Sequence, residues 1–495
     1  MKKQILFFIV LFSFILSNNF TLNESDFNES PSVLFNMGDI IFNDENNYKR
    51  IMSSSKGVTQ IEGEPELPTY TFNYAISNNK NYEVDFSILE YEIYEDVVLF
   101  PVQSVQNKDQ FLKNETLYNS NDLYPDNNIN IKRQSLRGHH LLGIELIPYE
   151  YDFNLKKLKV YKSVEINIHE TEVREEALIS QKSKIFEDIY NSIIINEESI
   201  ILNDARNYQQ PSILYILEDY TSVIESLVEW RRKQGFLVTV VDRDDISGSF
   251  NTNNIKDYIL NAYNNWENPP EYVCFVGDAN GSYDVPTYTV GEGGSWWGAY
   301  GEGDFPYTLL DGNDNLPDIV AGRMSIRNGT ELTTVINKII GYEKNYANNT
   351  DWLNAAALVG DPYDSGISTV ITNEYIENMM DIHGGITDIR TKYSGSSFDS
   401  FMRNEMNDGV SYLNYRGFYG FSNFTSNDVN QLNNGYKLPF IATLTCGTGS
   451  FATETTCMTE SLFRAGTSVS PKGAVAVIGT AQSYTHTAFN NIVNM

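Results

Sequence analysis

The sequence predicts an α/β protein in which parallel sheets follow a β-rich N-terminal domain. Three stretches carry that expectation. Between about Phe20 and Asp204, short runs alternate apolar and polar residues, with turn residues between them and little helical periodicity. From Ile213 to Gly277, strand-like and helix-like segments follow one another as β-α-β-α-β, the pattern of a parallel sheet with crossover helices. The same alternation returns late in the chain. There, Val410–Gly417 (V-S-Y-L-N-Y-R-G) and Leu438–Cys446 (L-P-F-I-A-T-L-T-C) flank a polar stretch of helical length, Thr425–Asn434.

With 495 residues the chain is too long for one domain. A hydrophobic content of 41% with 20% charged residues is that of a globular protein rather than a disordered one. The 35 basic and 65 acidic residues give a net charge of −30, which disfavours nucleic acid and anionic membranes as partners and suits a soluble protein outside the cell. Three cysteines are too few for a disulfide framework, and their odd number leaves at least one free thiol, for which Cys446 is the best candidate.

In chain order, Lys2 and Lys3 precede an apolar run, Ile5–Leu16, that is broken only by Ser13 and followed by Ser17 and the polar Asn18-Asn19. Residues 1–17 therefore read as a secretory signal, too short to cross a bilayer comfortably. No cysteine follows to carry a lipid anchor, and no later segment is apolar and long enough to span a membrane.

Residues 18–204 read as a β-sandwich, with clean alternation in Tyr82–Leu89 and Leu158–Ile168. A helical stretch, Glu176–Asn196, and the polar Asn203–Gln210 lead out of it. In residues 205–350, Ile213–Leu217, Phe236–Val241 and Tyr272–Gly277 read as strands, with Ser222–Gln234, Asn254–Trp266 and Thr330–Tyr346 as helices. Cys274 falls inside an apolar strand and is expected in the core. Residues 351–495 begin with the strand Ala355–Gly360, ended by Asp361, and the helix Thr369–Ile382, whose C-terminal end carries His383. The helix Thr456–Ala465 and the strand Gly473–Gly479 then follow the strand that ends in Cys446. No glycine-rich phosphate loop separates strand from helix, so nucleotide binding has no support.

Parallel neighbouring strands open their carboxyl ends on a shared crevice, where ligands bind. Cys446 stands at such an end, before the turn Gly447-Thr448-Gly449, whose amides, Gly447 first, can face a developing oxyanion. The competing reading of an isolated cysteine there is a small core residue. The loop Gly291–Asp318 gathers Trp296, Trp297, Asp304, Asp311 and Asp314, oxygens that could hold calcium. Their spacing fits no calcium loop, so a solvated turn and no cofactor are expected.

The blocks N-Y-R-G-F-Y-G, L-P-F-I-A-T-L-T-C-G-T-G-S-F, C-M-T-E-S-L-F-R-A-G and G-A-V-A-V-I-G-T resemble, in order and spacing, the catalytic core of the gingipain family of cysteine peptidases. The resemblance extends upstream through Val276-Gly277-Asp278 and the block Asp304–Arg323. G-E-P-E-L-P at Gly63–Pro68 and the run Ile147–Leu158 resemble the family's propeptide. It implies a caspase-like catalytic domain in two subdomains, 205–350 and 351–495, behind a propeptide-like domain that covers the peptidase until removed. Because the family's domain runs on further, the second subdomain is read as C-terminally incomplete. Carried over residue by residue, the nucleophile is Cys446, while the histidine position of the general base is Phe418. Asp361 falls about where the family has an acidic residue near its histidine. The family's acidic residue for a basic side chain falls near Val370, so no arginine or lysine preference is expected.

Phe418 cannot move a proton. His486 is the candidate substitute base, and Arg416, always charged, could stabilise a thiolate without shuttling protons. Phe418 is expected to fill the imidazole's space and desolvate Cys446, and Cys446 is expected to be reachable by solvent. Three functions follow in order. The first is a secreted or cell-surface gingipain-like cysteine endopeptidase acting on peptides or proteins, with His486 or water as base. The second is a catalytically silent domain that binds peptide through the Trp-rich loop and sheet edge. The third is a structural surface module whose thiol is core.

Overall fold

The computed structural model of the chain describes residues 19–23, 31–55, 57–77, 80–104, 110–173, 183–196, 208–219, 221–290, 301–482, 485 and 487–495. The N-terminal signal expected at 1–17, Trp296, Trp297, His486, and parts of the Glu176–Asn196 and Asn203–Gln210 segments lie outside these residues. The chain divides into two compact units, Met1–Asn207 with Asp311–Leu316, and Tyr208–Leu310 with Pro317–Met495.

The first unit is β-rich. One sheet joins Phe20–Asn23, Ser32–Asn36, Lys157–Val173, Tyr149–Asp152 and Leu123–Tyr124 in that order, with Lys80–Tyr94 along the other side of the long strand. A second sheet orders Gly57–Val58, Pro68–Ala75, His139–Leu146 and Ile129–Leu136. Side chains alternate between faces with period two, so each sheet offers one apolar face. Val33, Phe35, Val164 and Ile166 from the first sheet and Tyr70, Phe72 and Ile144 from the second share one core. Phe35 meets Tyr70 edge-on at 4.9 Å between ring centroids, which fixes the sandwich contact.

The second unit holds two parallel sheets. The first orders Leu237–Val241, Ser212–Leu217, Tyr272–Val276 and Val320–Met324. Every residue of Ser212–Leu217 is buried, as expected for a strand covered on both faces. Ile213, Tyr215 and Leu217 pack with Leu227, Val228, Leu332 and Val335 on one side. Leu214 and Ile216 pack with Ile255 and Ile259 on the other.

The second sheet orders Asp388–Lys392, Ala355–Gly360, Tyr412–Arg416, Phe440–Thr443 and Ala476–Gly479, all parallel. The strands read from sequence as adjacent are adjacent. Two elements are shorter than expected. The helix between them is Ser426–Asn430, closed by a Thr425/Asp428 capping box, and the Cys446 strand ends at Thr443. The strand Asp388–Lys392, the helix Phe398–Asp408 and the helix Thr487–Asn494 were not anticipated.

Buried polar groups tie the two sheets together. Arg464, on the helix Met458–Arg464, donates to Asp278 at 2.8 Å and to Glu460 at 2.6 Å. It also reaches the carbonyl and hydroxyl of Ser325, at 2.8 and 2.9 Å. Lys338, 1% exposed, donates to the carbonyls of Leu462, Phe463 and Ala465 at 3.3, 2.6 and 3.4 Å, taking up the orphan acceptors at that helix's end.

Candidate active site

The strands Ala355–Gly360, Tyr412–Arg416 and Phe440–Thr443 run parallel, so their carboxyl ends gather Asp361, Phe418 and Cys446 on one edge. Beyond Thr443 the chain turns. Cys446 bridges Tyr419, and its carbonyl accepts from the Gly420 amide at 3.0 Å. Gly447 follows with φ of +73°, in the left-handed region. A Cβ there would meet the Tyr419 hydroxyl at 2.9 Å. Gly447→Ala is therefore expected to lower stability by about 1–2 kcal/mol, read as a fall in the urea midpoint at unchanged slope. An unchanged midpoint would mean that the turn relaxes freely.

Cys446 is only 7% exposed, contrary to the expectation that solvent reaches it. Its sulfur lies 3.0 Å from the Thr485 hydroxyl and 3.4 Å from the Thr485 carbonyl. Asn490 Nδ2 stands 3.9 Å from the sulfur and donates to the same hydroxyl at 2.7 Å. The Gly447 amide, expected near the oxyanion, donates to the Gln482 carbonyl at 3.0 Å. Thr485 and Asn490 thus cover the thiol, and Gln482 occupies the adjacent amide.

Phe418 does not fill an imidazole's space in the interior. It is 56% exposed and Tyr419 is 55% exposed, because the chain has left the sheet at Gly417. The cover on Cys446 comes from Thr485 and Asn490 instead. Asp361 comes to the same edge: its amide donates to the Arg416 carbonyl at 2.8 Å. Its carboxylate accepts from the Ser422 hydroxyl at 2.6 Å and the Tyr363 amide at 3.0 Å. Among the described residues of this unit the histidine is His383, exposed at the end of the helix Ser368–His383, as its sequence context suggested.

The polar cover was not found from sequence. The helix Thr487–Asn494 sits on the sheet by its asparagines. Asn494 and Asn414 exchange amide hydrogen bonds at 2.9 and 2.7 Å, and Asn491 Oδ1 accepts from Arg416 Nε and Nη2 at 2.9 and 2.7 Å. Its apolar residues Phe489, Ile492 and Val493 are 60%, 69% and 73% exposed. Their i, i+3, i+4 spacing was a legible helix signal, but it marks the outward face here, opposite to the usual rule.

Asp304, Asp311 and Asp314 of the acidic loop each have protein partners. Asp304 forms a two-pronged pair with Arg323 at 2.8 and 2.8 Å. Within the first unit, Asp311 accepts from the Ser135 hydroxyl at 2.6 Å and Asp314 from its amide at 2.8 Å. Among the described residues no group of three or more His, Cys, Asp or Glu is arranged to hold a metal ion, and no helix is long and apolar enough to cross a membrane.

Comparison with known proteins gives the same picture. Residues 206–495 match the model for peptidase family C25, and residues 33–202 match that for the C25 propeptide. Gingipain R2 of Porphyromonas gingivalis is 26% identical over 514 positions, covering 95% of this chain and 68% of that protein. Gingipain R1 of Porphyromonas gingivalis is 25% identical over 494 positions, 93% of this chain and 48% of that protein. The chain thus spans about half to two thirds of the length of these curated relatives. A solved structure of the Arg-specific cysteine proteinase gingipain R superposes with a TM-score of 0.51 at 27% identity, over 58% of this chain and 66% of that one.

Proposed function

The chain belongs to peptidase family C25, and from that premise we propose that it is a secreted, gingipain-like cysteine endopeptidase acting on proteins, with Cys446 as nucleophile. One observation carries this reading. Cys446 follows the carboxyl end of a strand flanked by parallel neighbours, with the left-handed Gly447 next, so a carbonyl at that edge would meet sulfur and turn amides together. In the reaction the thiolate attacks the scissile carbonyl carbon and a sulfur–carbon bond forms. The carbon–nitrogen bond then breaks as the amine takes a proton, and water hydrolyses the thioester. His486 is the candidate base. What supports it is that its neighbour Thr485 touches the sulfur at 3.0 Å. Substrate must displace Gln482 and Thr485 from this edge, which would free the Gly447 amide for the oxyanion. Asp361 is proposed to orient groups at this edge through Ser422. No cofactor is invoked. Secretion is supported by the basic and apolar N-terminal run, Lys2 to Leu16.

A second reading, a silent peptide-binding domain, is favoured by Phe418 at the family's histidine position and by the covered sulfur. A peptidyl vinyl sulfone separates the two. One adduct mapped to Cys446 by mass spectrometry, and absent in Cys446→Ala, is the expected result. Native protein that binds the peptide but gains no adduct, while unfolded protein does, would sink the nucleophile reading.

A further inference from the structure

One aromatic ring lies against the turn that presents Cys446. Tyr419 bridges Cys446 through the backbone, and the following amide, Gly420, donates to the Cys446 carbonyl at 3.0 Å. The Tyr419 ring then reaches the next residue of the turn. A Cβ on Gly447 would stand 2.9 Å from its hydroxyl, 3.0 Å from its Cζ and 3.3 Å from its Cε2, so the missing side chain is what admits the ring. Contact at the tip does not bury it: Tyr419 stays 55% exposed. Other large apolar side chains are exposed at the same edge, namely Phe418, Tyr363 and Ile367. They follow the carboxyl ends of Tyr412–Arg416 and Ala355–Gly360, which are paired parallel strands. The Asp361 carboxylate ties the two segments, accepting from the Ser422 hydroxyl at 2.6 Å and the Tyr363 amide at 3.0 Å. Exposed apolar residues scattered singly need no explanation, but four of them beside one turn mark a binding surface. Charge here is mostly engaged, since Asp361 has these donors and Arg416 is buried on Asn491. Asp364, exposed in the turn after Asp361, is the carboxylate that a basic side chain would use instead.

We propose that Tyr419 determines specificity: its ring is one wall of a site that takes an aromatic or large aliphatic side chain of the substrate. That side chain belongs to the residue supplying the scissile carbonyl. The inference rests on the assignment of Cys446 as nucleophile. A carbonyl that meets sulfur and turn amides together lies over Cys446 and Gly447, so the side chain beside it comes against the ring. A ring face pairs with a second aromatic group in offset or edge-on geometry, and apolar area leaves water on both sides. A charged side chain gains less, because burying its head without a partner is costly. The phenol hydroxyl has no part in this; the ring carries it.

The test is calorimetric titration of the full chain carrying Cys446→Ala with blocked peptides that differ only at that residue: phenylalanine, leucine, arginine or glutamate. The phenylalanine peptide should bind at least about tenfold tighter than the arginine and glutamate peptides, with leucine between them. Adding Tyr419→Ala should erase the difference, whereas Tyr419→Phe, which keeps the ring, should retain it. Because Tyr419 is half-exposed, neither variant opens a cavity in the core. Four results overturn the proposal. They are equal affinities, an arginine preference that Asp364→Asn weakens, a phenylalanine preference that survives Tyr419→Ala, and no binding of any peptide.

Titration needs no reactive thiol, so its result separates from that of vinyl sulfone labelling. A phenylalanine preference in binding, with no adduct on wild type, sinks the peptidase reading and leaves the site standing. Adducts at Cys446 that form as fast with an arginine vinyl sulfone as with a phenylalanine one do the reverse: they sink the site and leave the nucleophile.

Discussion

Arg464→Met is expected to cost about 3–5 kcal/mol of stability, because it leaves buried carboxylates without their cation. Asp278 is 0% exposed and Glu460 is 3% exposed, and both bond to Arg464 Nη2. Methionine keeps much of the side-chain volume, so the loss measures charge rather than a cavity. Arg327→Met is the control: Arg327 is half-exposed and pairs with Glu331 across one helical turn, a contact worth about 0.3–0.5 kcal/mol.

Urea unfolding followed by tryptophan fluorescence reads both. A loss below about 1 kcal/mol for Arg464→Met would show that water replaces the guanidinium and that the cluster is not dry. The cluster also sets a pH slope. Burial raises the Glu460 pKa above the ordinary carboxylate range, with Arg464 opposing it. An acid whose folded pKa is raised holds its proton more tightly in the folded state. Its stabilising contribution is therefore complete below the unfolded pKa and is lost as pH rises through the folded value. Glu460→Gln should flatten that decline.

Much of this fold was legible because its strands are either fully buried or half-buried. Ile213–Leu217 and Ala355–Gly360 are unbroken apolar runs, and both prove to lie in central strands with every residue buried. In the sandwich, Leu158, Val160, Val164, Ile166 and Ile168 keep an even spacing on one face, and all are buried. Elements lacking such a pattern were missed. Asp388–Lys392 is a polar edge strand, and its charge pattern is that of a loop.

The site divides in the same way. The placement of Phe418 and Cys446 beyond the ends of neighbouring parallel strands could be read from the alternation of strand and helix, since strand ends follow from strand order. The cover over the sulfur could not. It depends on Asn490, Asn491 and Asn494 facing inward, and asparagine in a short polar helix ordinarily marks the solvent side. Nor does sequence show that Arg416 is buried, because an arginine at the end of a strand ordinarily projects into water.

If His486 does not act as base, Phe418→His should raise peptide hydrolysis by roughly 10²–10⁴-fold, the usual contribution of a positioned general base. The geometry admits the change at little cost to the core. Phe418 is 56% exposed, so removing its ring opens no cavity, and the following residue, Tyr419, already bridges Cys446. An imidazole at 418 would stand exposed at the same strand edge as Cys446.

Two features of the rates would mark a base rather than a repacked loop. The gain should fall in kcat rather than KM, since the new group acts on the reacting atoms. Activity should also acquire an acidic limb near pH 6.5, roughly the ordinary imidazole value, where wild type has none. If His486 already serves as base, the outcome differs: wild type would match Phe418→His and would collapse in His486→Ala. That result would remove the silent-domain reading, because a chain that hydrolyses peptides at the restored rate has already replaced its missing histidine.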